Sequence, residues 1–191
     1  MKFMRKITML SISFALISSA MATSTDEEAW SLKLVNHFEM YCFRTGANFS
    51  TITSMAEALE LQEIPQKMLV GMMPINDVED GKGYVLEHDE ESSKGIMLMA
   101  VRGQDACSVI GANLGNESAV EYVLKEYQLV EFFKDDVGLQ VTNLYIPGGE
   151  SESYEEVRER GVIYIVKSKP GSPSKGMTIG YLPPITAKEI Y

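Results

Sequence analysis

The sequence predicts an α+β domain: an antiparallel sheet of about six to seven strands, about three helices packed on it, and one disulfide. Three observations carry that expectation. Apolar residues recur at helical spacing near the start of the chain and again after residue 116, whereas residues 83–112 and 129–182 read as short apolar runs between polar loops. Those runs come in hairpin-linked groups instead of alternating with helices, the pattern of α+β rather than α/β proteins. The chain also opens with an export segment and carries only two cysteines, Cys42 and Cys107.

The opening reads MKFMRKITMLSISFALISSAMATSTDEE. Lys2, Arg5 and Lys6 form a positive region, residues 7–17 an apolar one, and Ala20-Met21-Ala22 a small-x-small cleavage pattern. The apolar run is shorter than the roughly 20 residues a spanning helix needs. The expectation is therefore a signal peptide over 1–22, cleavage after Ala22, and a single α+β domain over 23–191. That domain has 191 − 22 = 169 residues, enough for a sizeable core. Cleavage removes three of the 17 basic residues and none of the 27 acidic ones, so the net charge moves from −10 to −13. Such a charge repels nucleic acid and anionic lipid head groups and favours solubility or a basic partner. No later stretch is long and apolar enough for stable membrane insertion.

Trp30, Leu34, Phe38 and Tyr41 follow at spacings of 4, 4 and 3, one stripe of a first helix, with Val35 and Cys42 beside it. TSTDEE ahead of it offers cap residues and first-turn acids, and Gly46 a stop. A second helix is expected over about 50–61, with Ser54 and Glu57 as a capping box and Pro65 limiting its far end. GYVLEH, GIMLMAV and ACSVIGA read as strands. In the middle one Ile96, Leu98 and Ala100 face one way and Met97, Met99 and Val101 the other, so both faces are apolar. A third helix follows, capped by Asn116, with Val120, Val123, Leu124 and Tyr127 on one side. LVEFF and LQVTNLYI flank the hairpin signal KDDVG, and GVIYIVKS and GMTIGYL flank KPGSPSK. No repeat is visible at a fixed period.

Export places the chain in an oxidising compartment, and two cysteines are the smallest disulfide set. A cysteine-only zinc site needs more ligands, and a catalytic thiol needs a positioned base. His37 stands five residues before Cys42, so on a helix the two point apart. The expectation is a Cys42–Cys107 bridge that staples the first helix to the sheet.

The motifs of common enzymes are missing. There is no G-x-S-x-G, no nucleotide-cradling glycine pattern and no H-E-x-x-H, so no catalytic residue, metal site or cofactor is assigned. HDEE (88–91) sets His88 beside three acids, a pattern able to hold a cation but more typical of a solvated hairpin tip. INDVEDG (75–81) approaches a calcium loop, yet Gly81 stands where the third ligand belongs. Asp135-Asp136 reads as turn chemistry.

The helical pattern F-x-x-x-C-x-x-T from Phe38 to Thr45, followed by C-x-V from Cys107 to Val109 on the second of two strands, resembles a group of small exported proteins of Gram-negative bacteria. They are uncharacterised periplasmic or outer-surface proteins. The resemblance implies a periplasmic location and a bridged cysteine pair, and brings no catalytic residue with it. The functional expectation is an exported, acidic, disulfide-stapled binding or interaction module, periplasmic or secreted, with a basic protein of the cell envelope as partner. The alternatives are an enzyme whose site surrounds His88 and nearby acids, or a structural subunit of an envelope assembly.

Overall fold

The computed structural model describes residues 26–69, 81–102, 106–114, 117–149, 159–173 and 175–184. The expected signal segment, most of the calcium-like loop and the Asn116 cap lie outside the described residues.

The first stripe forms helix α1. Residues 26–37 are α-helical, and Phe38–Phe43 continue as a π-helical turn. Arg44 N–H donates to the Glu39 carbonyl at 2.9 Å and Ala47 N–H to that of Cys42 at 2.8 Å, both five residues back. Widening a helix in this way changes the direction of every later side chain. Here Phe38, Tyr41 and Cys42 all end up buried. Gly46 and Ala47 then take left-handed backbone, φ +62° and +57°, which turns the chain out of the helix.

Helix α2 spans Phe49–Ala58 and starts earlier than the sequence suggested. Asn48 is its N-cap, accepting from Thr51 N–H at 2.9 Å. Ser54 and Glu57, the expected capping box, fall inside the helix, because the buried face already begins at Phe49 and Ile52. Two elements were not expected. Strand β1 is only Gln62–Glu63, and Pro65 precedes the one-turn helix α3, Gln66–Leu69. A proline at a helix start loses no hydrogen bond, so Pro65 opens a helix as well as following one.

The remaining elements are β2 (Gly81–Asp89), β3 (Lys94–Val101), β4 (Ala106–Ala112), α4 (Glu117–Glu126), β5 (Val130–Asp135), β6 (Gln140–Ile146), β7 (Val162–Ser168) and β8 (Gly176–Leu182). All eight strands form one antiparallel sheet in the order β1-β2-β3-β4-β8-β7-β6-β5. The sheet is two four-stranded meanders joined where β4 meets β8, with Val109 opposite Ile179 at the middle of both strands. Each meander follows a helix that packs on the same face, α2 before β1 and α4 before β5. The chain thus repeats a helix-and-four-strands order that its residue types do not display.

One face carries the main core. Trp30, Leu34, Phe38 and Tyr41 of α1, Phe49, Ile52 and Ala56 of α2, and Val120 and Val123 of α4 meet Ile96, Leu98, Val109, Ile163, Ile165 and Ile179 of the sheet. Met99 and Val101 point to the opposite face, where Ile64 and Leu69 cover them. β3 is therefore covered on both sides, which its two apolar alternations foreshadow. Helices α1, α2 and α4 thus pack on one face of the sheet and α3 on the other. Gly83 admits α3 to the second face, since a Cβ there would come within 2.7 Å of Leu69 and 2.9 Å of the Met99 sulfur.

The disulfide joins Cys42, in the π-helical turn, to Cys107, the second residue of β4. Their Cα atoms are 5.2 Å apart, well inside the range a bridge spans. Both residues are buried in the main core, so the bridge pins α1 across the middle of the sheet.

Candidate interaction surface

His88 is exposed at the end of β2, with Gly95 as its cross-strand neighbour. Its acidic neighbours close the hairpin. Asp89 accepts from Ser92 Oγ at 2.5 Å and from Glu91 N–H at 3.1 Å. The Ser92 hydroxyl, against a small effect of burial, holds the Asp89 carboxyl below its ordinary range. Among the described residues no three His, Cys, Asp or Glu side chains are placed to share a metal ion.

His37 occupies a more structured position that the sequence did not reveal. The pairing of β2 with β3 is interrupted past its middle by a bulge between Val85 and Glu87. Glu87 thereby faces α1, where its carboxylate meets Lys33 Nζ at 3.0 Å and His37 Nε2 at 3.4 Å. His37 stacks on Tyr41 with ring centres 6.1 Å apart, and Lys33 lies over the Trp30 ring at 4.8 Å. Burial pushes the His37 pKa below its ordinary value, although Glu87 pulls the other way. Burial would raise Glu87, but the hydrogen bond and charge of Lys33, with His37 behind them, hold it low. At neutral pH Lys33 is thus the counter-ion of Glu87, and His37 a neutral donor to it. The trio ties helix to sheet. Cys42, five residues from His37, is engaged in the bridge.

The two ends of the sheet differ sharply. β1 is a two-residue strand, both residues exposed and polar, and Lys82 sits between Glu57 at 3.5 Å and Glu63 at 3.6 Å. A short, charged edge of this kind resists pairing with another chain. β5, at the other end, is six residues long and exposed from Glu131 to Asp135. Phe132 is 46% and Phe133 50% exposed. Val137 and Leu139, in the hairpin that follows, are 73% and 56% exposed. Four large apolar side chains thus crowd into eight residues at one edge, and a clustered apolar patch is more informative than isolated exposed residues.

This edge is held in shape. Asn143 Nδ2 donates to the Glu131 carboxylate. Lys169 fixes the hairpin by donating its backbone N–H to the Leu139 carbonyl at 2.9 Å and its Nζ to that of Gly138 at 3.0 Å. Nζ also pairs with Asp136, whose carboxyl the contact holds below its ordinary range. Asp136 therefore serves the turn, as its position in KDDVG suggested. Behind the edge, Tyr127 donates to Glu39 at 2.8 Å and packs against Phe43 with ring centres 4.4 Å apart. Burial, reinforced by the Glu39 carboxylate, pushes the Tyr127 hydroxyl far above its usual range. The root of β5 is thereby locked to the end of α1.

No protein-family model, curated protein or solved structure matches the chain.

Proposed function

We propose that this chain is an exported, non-enzymatic interaction module of the bacterial periplasm or exterior, and that it engages a protein partner through the β5 edge. The single observation that carries this reading is the exposure of Phe132 and Phe133 on a long edge strand, supported from behind by Asn143, Lys169 and Tyr127. Aromatic anchors on a preorganised surface lose little freedom on binding. The exposed position of His88 at the hairpin end, outside any group of three metal-ligating side chains among the described residues, favours binding over the enzyme alternative. A net charge near −13 after signal removal favours a basic partner and disfavours anionic lipid. The same edge strand favours the second reading, a structural subunit of an envelope assembly, because such subunits associate through their uncovered edges.

The test is periplasmic cross-linking and pull-down with the wild-type chain, Phe132→Ser/Phe133→Ser, and His88→Ala. A specific partner should be captured by the wild type and by His88→Ala, lost with the double phenylalanine variant, and released as ionic strength rises. Equal capture by a folded double phenylalanine variant would remove the edge from the proposal.

A further inference from the structure

We propose that β5 pairs with β5 of a second copy of this chain, antiparallel about a two-fold axis, joining two eight-stranded sheets into one. This inference rests on the β5 edge as an interaction surface and puts a second copy, as acidic as the first, at that edge in place of a basic partner.

The segment Val130-Glu131-Phe132-Phe133-Lys134-Asp135 is complementary to itself when reversed. With Phe132 opposite Phe133 of the second copy, Glu131 falls opposite Lys134 and Val130 opposite Asp135. Both charge pairs across the two-fold are then attractive. Shifting by one residue in one direction brings Glu131 opposite Asp135, a like-charge pair. Shifting in the other leaves Glu131 opposite Phe133 and Lys134 opposite Val130. Opposite charges directly across two strands attract and like charges repel, so the side chains select one register.

The β5 bulge makes that register possible. In a regular strand Glu131 and Lys134, three residues apart, would point to opposite faces. Here the pairing steps from Glu131–Tyr145 to Phe133–Leu144, so Phe132 is the extra residue. Glu131 is opposite Tyr145 and Lys134 opposite Asn143, two residues apart on β6 and therefore on one face. Tyr145 belongs to the main core, so this is the face the helices cover. A two-fold axis perpendicular to the sheet keeps faces matched between copies, which places Glu131 and Lys134 of the second copy side by side. Asn143 already holds the Glu131 carboxylate. Bulges often protect an edge from random pairing. In β5 the extra residue excludes the shifted registers and leaves this one with matched faces.

The exposed Val137 and Leu139 lie in the hairpin that follows β5. Among the described residues no strand pairs with the outer side of β5.

The experiment is sedimentation equilibrium on the protein as isolated from an exporting bacterium, with circular dichroism to confirm folding. Wild type should weigh as a dimer. Glu131→Lys alone and Lys134→Glu alone should each weaken dimerisation about tenfold, since each converts two attractive pairs into repulsive ones. The double variant, Glu131→Lys with Lys134→Glu, should recover the dimer. Raising ionic strength should tighten it by screening the like net charges, the reverse of what a basic partner would do. A wild type that stays monomeric at its highest soluble concentration overturns the proposal, as does a folded double variant that does not recover. If the chain is monomeric while partner capture still depends on Phe132 and Phe133, the interaction-module reading stands and only the second copy is refuted.

Discussion

Replacing Cys42 and Cys107 together with alanine should cost about 4 kcal/mol of stability while leaving the fold in place. The bridge spans 65 residues of sequence, and closing a loop of that length removes roughly 4 kcal/mol of chain entropy from the unfolded state. Measured effects of removing native bridges run from about 2 to 5 kcal/mol. Packing should keep the helix docked without the bond, because Leu34, Phe38 and Tyr41 of α1 still meet Val109 and Ile179 of the sheet. For a chain of this size the loss corresponds to a melting temperature lower by roughly 8–16 °C. The assay is thermal and urea unfolding of the oxidised wild type, the reduced and alkylated wild type, and the double alanine variant. The variant should show the wild-type circular dichroism and the same partner capture per folded molecule. A variant that melts with the wild type would refute the stapling argument. Loss of capture at full folding would return thiol chemistry to consideration.

Four further outcomes are expected. Gly180→Ala should destabilise by about 1–3 kcal/mol, because its Cβ would come within 2.0 Å of the Tyr164 ring, and Tyr164→Ala should absorb most of that cost in a double-mutant cycle. Stability should fall with acid in two stages. An unfolded His37 takes up a proton as pH drops through 6.5 while burial keeps the folded one neutral, and Glu87 then loses its ion pair below 4.5, so His37→Gln should flatten the first stage and Glu87→Gln the second in melting curves against pH. His88→Ala should leave both melting and capture unchanged, whereas a loss of function at normal folding would favour a site at the hairpin tip. N-terminal sequencing of the exported chain should begin Thr23-Ser24, and an intact Met1 in the membrane fraction would refute cleavage.

The elements written in long, regular patterns were legible. The Trp30–Leu34–Phe38–Tyr41 stripe marked the buried side of α1, and ACSVIGA and GMTIGYL coincide with β4 and β8. The disulfide was legible from the count of two cysteines, read together with the expected export. What escaped had no such pattern. Two exposed residues are too few to show a strand period, so β1 passed unseen. The π-helical turn depends on which carbonyl each N–H reaches, not on residue type. The His37–Glu87 contact joins positions 50 apart, and nothing local to either announces the other. The edge position of β5 did leave a trace. Glu131, Lys134 and Asp135 put charge on both sides of the strand, so neither alternation of VEFFKD could be wholly buried.

The arrangement of the sheet explains why the surface of interest lies at β5. Joining two meanders through β4 and β8 buries the last strand of each half at the centre and sends the first strand of each to the rim. The two rims therefore begin as equivalents. In the first half the rim strand has shrunk to Gln62–Glu63. There Lys82 draws Glu57 and Glu63 together, and α3 turns its Leu69 onto the second face. In the second half β5 keeps six residues and two outward phenylalanines, and its hairpin is braced by Lys169. Folding alone gains little from exposing Phe132 and Phe133, since each leaves apolar area in water that burial would have stabilised. A serine or threonine at either position would fold as well and be more soluble. The contrast between one blunted rim and one apolar, braced rim within the same sheet is thus better explained by association at β5 than by the needs of the fold.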